Sequence, residues 1–158
     1  MSMQRFFVFL AVLACASTLA GCGSATDAVT FKAPANYTSA AQIGPFMQLW
    51  KGPQDNSLAL MAFPAKIDLD KATTGSDIKN AQVIKHAMIR ICGDQQAYYV
   101  SMIGEHADSG AAPGQKRLID VLATDVNGKT YLAMYIRPVG TSADTAAEDA
   151  IRNVCSKS

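Results

Sequence analysis

Apolar and polar positions alternate along several short runs of this chain, and runs of that length point to strands. Residues 29–33, Val-Thr-Phe-Lys-Ala, alternate and stop at Pro34, whose ring restricts the residue before it to extended backbone. Residues 34–38 read as a turn that carries Tyr37. A second strand is expected over 46–50, with Phe46, Gln48 and Trp50 on one face. Lys51-Gly52-Pro53-Gln54-Asp55-Asn56 is turn chemistry, and the apolar run 58–63 reads as a buried third strand, joined to the second as a hairpin.

The middle of the chain is less regular. Residues 64–74 read as a loop, and Ser76 is placed to cap a short helix over 77–83. Residues 84–91 fit two periods. Ile84, Ala87, Met88 and Ile91 share a helical face, whereas Ala87, Ile89 and Ile91, or His86, Met88 and Arg90, share a strand face. The Gly93-Asp94-Gln95-Gln96 turn and the strand-like run 97–103 favour a hairpin, which makes 86–92 a strand. Residues 105–115 read as a loop. Two further β-prone runs, 116–124 and 130–137, flank Asn127-Gly128, a dipeptide suited to the left-handed backbone of a type I′ hairpin turn. Thr141-Ser142-Ala143-Asp144 fits a capping box that leads into a closing helix, with Ala147, Ala150, Ile151 and Val154 as its apolar stripe. The sum is an α+β domain, an antiparallel β-sheet flanked by helices, with no internal repeat.

The N-terminus obeys a different pattern. Arg5 precedes an apolar stretch over 6–19, and small residues follow it, the order of an export signal. The stretch is shorter than the roughly 20 apolar residues that span a bilayer. Leu19-Ala20-Gly21-Cys22 resembles the lipobox of bacterial lipoproteins. That resemblance implies removal of residues 1–21 and lipid on Cys22; an ordinary signal peptide cut without lipidation is the other reading. It also implies the outer rather than the inner membrane in a host with two, because Gly23 and not Asp follows the cysteine. Residues 22–27 then form a lipidated cysteine and short tether, and 28–158 a single domain.

Loss of residues 1–21 removes one cation, Arg5, and leaves thirteen charges of each sign, with no run of Lys or Arg. Nucleic-acid binding has no electrostatic support in such a chain. Cys15 leaves with the signal and Cys22 takes the lipid, so Cys92 and Cys155 remain in a compartment that permits disulfides. A bond between them would tie the closing helix to the end of a central strand; two buried free thiols are the alternative.

Few residues carry a chemical signature. Glu105, His106, Asp108 and Ser109 place carboxylates, an imidazole and a hydroxyl in one loop, and they are the weak catalytic candidates. A metal needs three or four converging ligands and a triad needs a locked nucleophile and base, and this loop pattern supplies neither. His86 reads as a hydrogen-bonded or exposed strand histidine. Asp68, Asp70 and Asp77 miss the spacing of a calcium loop. No cofactor and no metal are therefore expected. Tyr98 and Tyr99 must face opposite sides of one strand. Most of the set Tyr37, Phe46, Trp50, Tyr98, Tyr99, Tyr131 and Tyr135 belongs in a core, although an exposed Tyr–Trp cluster would be a natural partner site.

Phe31-Lys32-Ala33-Pro34 with Tyr37, Ile91-Cys92-Gly93, Tyr131-Leu132-Ala133-Met134-Tyr135 and the closing Ala150-Ile151-x-x-x-Cys155 together resemble a small secreted PsbP-like domain, over about residues 28–156. Tyr37 takes the place of the early tryptophan in that pattern. The resemblance implies an α/β/α sandwich and a non-enzymatic protein that assists or attaches to larger assemblies. The expected function is thus a lipid-anchored accessory or interaction domain of the cell envelope, held to the membrane through Cys22 and open to a protein partner. A small ligand-binding protein or hydrolase using the 105–109 loop is the alternative.

Overall fold

A computed structural model of the chain describes residues 25–73, 78–106, 112 and 114–157. Within them lies a seven-stranded antiparallel sheet with a helix on each face. The strands are β1 (Thr38–Ile43), β2 (Met47–Lys51), β3 (Ser57–Ala62), β4 (Ile78–Ile91), β5 (Gln95–His106), β6 (Arg117–Val126) and β7 (Lys129–Pro138). The helices are α1 (Leu69–Thr73) and α2 (Thr145–Arg152). Strand order is β1-β2-β3-β7-β6-β5-β4, so two meanders meet where β3 pairs with β7. The link from β3 to β4 must cross one half of the sheet, and α1 lies on that crossing.

Burial on both faces defines the centre. Residues 131–136 of β7 and 119–124 of β6 are all buried, and such strands read as near-continuous apolar runs. Val100, Met102, Ile119, Val121, Leu132, Met134 and Ile136 form one core, on which Ile67 and Leu69 pack. Trp50, Leu58, Leu60, Tyr131, Ala133 and Tyr135 form the other, beneath Ala147, Ala150 and Ile151 of α2. Each large apolar side chain so buried stabilises by about 1.5–3 kcal/mol relative to exposure.

The expected hairpins form. Asn127 and Gly128 turn with φ of 50° and 78°, the left-handed backbone expected of them. The stripe of Ala147, Ala150, Ile151 and Val154 is buried as expected. The cap lies three residues later than the box suggested. Asp144 itself accepts from the Ala146 amide at 3.0 Å, while Thr141 donates its hydroxyl to the Pro138 carbonyl at 2.8 Å.

The structure departs from the sequence expectations at five places, each for an identifiable reason. Residues 29–33 do not form a strand; Val29 makes a single bridge to Ser156. Their alternation instead lays Val29 and Phe31 on the α2-side core, with the Phe31 ring 5.0 Å from Trp50. Strand β1 has no apolar period because all six of its residues are exposed, and backbone pairing with β2 creates it. Residues 69–73 form α1 rather than loop, and the Asp68 carboxylate accepts from the Asp70 amide at its start. The helix expected over 77–83 is instead the first half of β4. Its register shifts between Lys79 and Gln82 and again between Val83 and Lys85, and Asn80 takes a left-handed φ of 53°. Each bulge resets the two-residue alternation, so the strand looks helical in sequence. Ala25, placed in the tether by the sequence, is buried in the α2-side core.

Cys92 and Cys155 form the expected disulfide, with Cα atoms 5.7 Å apart. Cys92 occupies the β4–β5 turn and Cys155 follows α2 by three residues. Around the bond, the Gln95 side-chain amide donates to the Val154 carbonyl at 2.9 Å and to the Thr124 hydroxyl at 2.8 Å, and its oxygen accepts from the Ser156 amide. Thr30 donates its hydroxyl to the Asn153 carbonyl at 2.8 Å, so the N-terminal segment is fastened to the same place. Replacing both cysteines by serine should lower unfolding stability by about 4 kcal/mol, the chain-entropy expectation for a loop of this length. Urea unfolding of wild type and Cys92→Ser/Cys155→Ser measures this, and superimposable curves would show that the bond contributes nothing.

Candidate interaction surface

Strand β4 is fourteen residues long and lies at a sheet edge. One side of its backbone therefore has no strand beside it among the described residues. Edges of globular sheets are normally short, charged or covered. This one holds three large apolar side chains in water: Val83 is 47 % exposed, Ile84 55 % and Met88 56 %. Register explains their direction. Val83 pairs with Met102 and Met88 with Tyr98, which sets them on the α1 side of the sheet. With only five residues, α1 packs chiefly on β5, β6 and β7 and leaves the apolar side of β4 open.

The gap between them is an open cavity of about 540 Å³, lined by Asp70 of α1, Val83, Ile84 and His86 of β4, and Tyr98 and Val100 of β5. Its polar groups form a chain. The Tyr98 hydroxyl lies 3.2 Å from His86 Nδ1 and is hydrogen-bonded to the Asp70 carboxylate. Partial burial, then that hydrogen bond and the Asp70 charge, hold the Tyr98 phenol above its ordinary range.

The other side of β4 carries Lys79 and Lys85 in its first half and Ala87, Ile89 and Ile91 in its second. Lys79 and Lys85 pair with Glu105 and Ser101, on the α2 side. Arg90 pairs with Gln96 and flanks the apolar patch. The strand contains no acidic residue. Farther in on this side, the Tyr99 hydroxyl donates to Asp120 at 2.7 Å, and the Arg152 guanidinium stands 5.3 Å from the ring centre. Burial first, then the Asp120 carboxylate, push the Tyr99 phenol up to about 12. Tyr98 and Tyr99 thus face opposite ways, as a strand requires.

The residues singled out from sequence fare differently. Cys92 and Cys155 are joined. Glu105 lies near the end of β5, where it accepts from the Asn80 side-chain amide at 3.0 Å. His106 ends β5 opposite Ile78. Asp108 and Ser109 lie outside the described residues, as does Cys22 with the export segment. Among the described residues no group of three or more His, Cys, Asp or Glu is placed to hold a metal. The aromatic residues do not build a surface cluster. Tyr37, Trp50, Tyr131 and Tyr135 are buried beneath α2, and the exposed Phe46 stands apart in the β1–β2 turn. Burial, reinforced by Tyr135 and Asp144, raises the Tyr37 phenol. The exposed grouping of Val83 and Ile84 escaped sequence reading because the second bulge falls between Val83 and Lys85, at Ile84 itself. The available signal was fourteen residues with bulky apolar and basic side chains and no acid.

No protein-family model and no curated protein sequence matches the chain. Solved structures share its fold. A crystal structure from Bacteroides thetaiotaomicron superposes with a TM-score of 0.57 at 12 % identity, over 87 % of this chain and 47 % of its own length. The chain thus spans about half of that structure. The Ran-binding protein Mog1p of Saccharomyces cerevisiae gives 0.49 at 8 % identity, over 78 % of each chain. Cyanobacterial PsbP (CyanoP) from Synechocystis gives 0.46 at 14 % identity, over 74 % of this chain and 78 % of its own. At these identities the likeness lies in the path of the backbone and transfers no residue's role.

Tyr99 makes alkaline stability testable. Its folded-state pKa lies above the ordinary value of 10.0, so its contribution is complete below that pH and is lost as pH rises towards about 12. Tyr99→Phe should lose one late step in the phenolate absorbance titration. Its urea midpoint should also fall less steeply than that of wild type over the same range. Parallel midpoint curves would remove the assignment.

Proposed function

We propose that this chain is a lipid-anchored accessory domain of the bacterial cell envelope that binds a protein partner through β4 and the apolar side of the sheet beside it. The observation that carries the reading is the exposure of Val83, Ile84 and Met88 on an edge strand next to an open cavity. Completing the burial of three half-exposed aliphatic side chains contributes about 3 kcal/mol, and hydrogen bonds from the free strand edge add to it. The disulfide supports an oxidising compartment, in keeping with the export signal read in residues 1–21. Ala25 is already packed in the core, so a lipid on Cys22 would hold the domain close to the bilayer.

Two measurements test the reading. A photo-crosslinking residue at Met88 of the full chain, expressed in its native cell, should give a defined adduct. That adduct should vanish with Val83→Asp/Ile84→Asp and should not arise from the exposed position Lys129. No adduct, or the same adduct from both positions, would remove the β4 surface from the reading. Cys22→Ser should lose the mass of the lipid and move the protein from the membrane fraction to the soluble envelope fraction. Retention in the membrane would overturn the anchor.

A further inference from the structure

Residues 33–50 contain no charged side chain, and they include β1 and the β1–β2 turn. The Phe46 amide donates to the Ile43 carbonyl at 3.2 Å, which closes the turn over Gly44 and Pro45. Gly44 supplies a left-handed φ of 51° there. Two large apolar side chains stand in water at this tip, Ile43 at 56 % exposure and Phe46 at 53 %. Single exposed apolar residues are ordinary. What distinguishes these two is their place.

Strand register puts the turn at the same end of the sheet as the first described residues. The Phe46 carbonyl accepts from the Ala62 amide at 2.7 Å, and the Phe63 amide donates to Thr130, near the start of β7. Thr130 pairs with Asp125, and the preceding Thr124 pairs with Ala97 of β5, so the β4–β5 and β6–β7 turns share that end. Residues 25–29 lie over it. Val29 bridges Ser156, whose amide donates to Gln95 at the start of β5, and the Lys157 ammonium donates to the Thr26 carbonyl at 2.8 Å. Burial first, then the Asp27 carboxylate, raise the Tyr131 phenol, which sets Asp27 near the start of β7. From β7, β2 is two strand spacings away, about 10 Å. Cys22 precedes Ala25 by three residues and so lies within about 11 Å of it, the longest reach of that much chain.

We infer that this end of the sheet rests on the bilayer that holds the lipid on Cys22, with Phe46 and Ile43 inserted among the lipids as a second point of attachment. This depends on the lipid proposed above. So short a tether holds this end of the domain at the headgroups. The tip carries no charge, so its entry strips no ion of water. Lys66, Lys129 and Lys157 at this end are matched in number by Asp27, Asp94 and Asp125, so apolar insertion rather than attraction to anionic lipid supplies the contact. The opposite end of the sheet, where Val139 is also exposed, lies about 30 Å away along the ten residues of β7.

The test uses the full lipidated chain in vesicles of phosphatidylethanolamine and phosphatidylglycerol whose acyl chains are brominated near the headgroups. Phe46→Trp and Val139→Trp each add a tryptophan at an exposed apolar site, and the parent chain, with Trp50 buried, gives the baseline. Ile43→Trp repeats the measurement beside the first site. Emission from the tryptophan added at position 46 should shift to the blue and be quenched by bromine, and emission from position 139 should do neither. The quenching should persist in high salt and in purely zwitterionic vesicles. No quenching at positions 43 and 46 in vesicles that carry the chain, or equal quenching at position 139, would overturn the inference and leave the anchor standing. So would quenching confined to anionic vesicles at low salt. Protection of position 46 from aqueous acrylamide without quenching by bromine would also overturn it, because a second copy of the chain would then cover the turn. A mature chain whose mass shows no lipid on Cys22 would remove the anchor and this attachment together.

Discussion

The fold depends on burying β6 and β7 on both faces at once. Their central residues leave no side free for water, so each face of the sheet must carry a covering layer. On one side that layer is α2 with the N-terminal segment; on the other it is α1 with the chain around Ile67. The connectivity follows. The β3–β4 link crosses one face, the chain after β7 returns over the opposite face, and both central strands are enclosed.

Several polar groups caught in that enclosure tie its parts together. The Asn56 side chain donates to the Tyr135 hydroxyl, which also accepts from the Asp144 amide, so the start of α2 is tied to the centre of β7. Thr130 donates to Asp125 and accepts from the Ile67 amide, which fixes the chain leading into α1. Arg117 is fully buried and pairs with the half-exposed Asp55, joining β6 to the β2–β3 turn; removing Asp55 would leave the buried Arg117 charge without its ion-pair partner. The disulfide and Gln95 complete the set by fastening both ends of the described chain to the β4–β5 turn.

Cover runs out toward β4. The α1 helix is too short to reach the edge, and α2 packs chiefly on β7 and β6. The outermost strand therefore exposes side chains on both sides, Val83 and Met88 on one and Lys79 and Lys85 on the other. The same shortness of α1 creates the cavity, whose polar wall, Asp70–Tyr98–His86, comes from three separate elements. The sheet thus ends in a long strand most of whose side chains are exposed, and only Ile78, Ile89 and Ile91 pack against the core clusters.

Local and nearest-neighbour chemistry was legible in the sequence. The Asn127-Gly128 turn, the β2–β3 hairpin, the stripe of α2 and the pairing of Cys92 with Cys155 each follow from residue type, spacing or the count of available cysteines. So did the class, an antiparallel sheet with flanking helices, and the opposite facing of Tyr98 and Tyr99. Tertiary structure decided what depends on distant partners. Residues 29–33 have strand alternation, yet they lie against α2 because the chain end at Ser156 is their neighbour. Strand β1 has no alternation, yet it pairs because β2 offers a free edge. The two bulges of β4 hid the strand character of its first half and the grouping of Val83, Ile84 and Met88, since a period of two is readable only while no residue is inserted. The proposed interaction surface is an edge, and strand order, which no local pattern encodes, determines which strand becomes one.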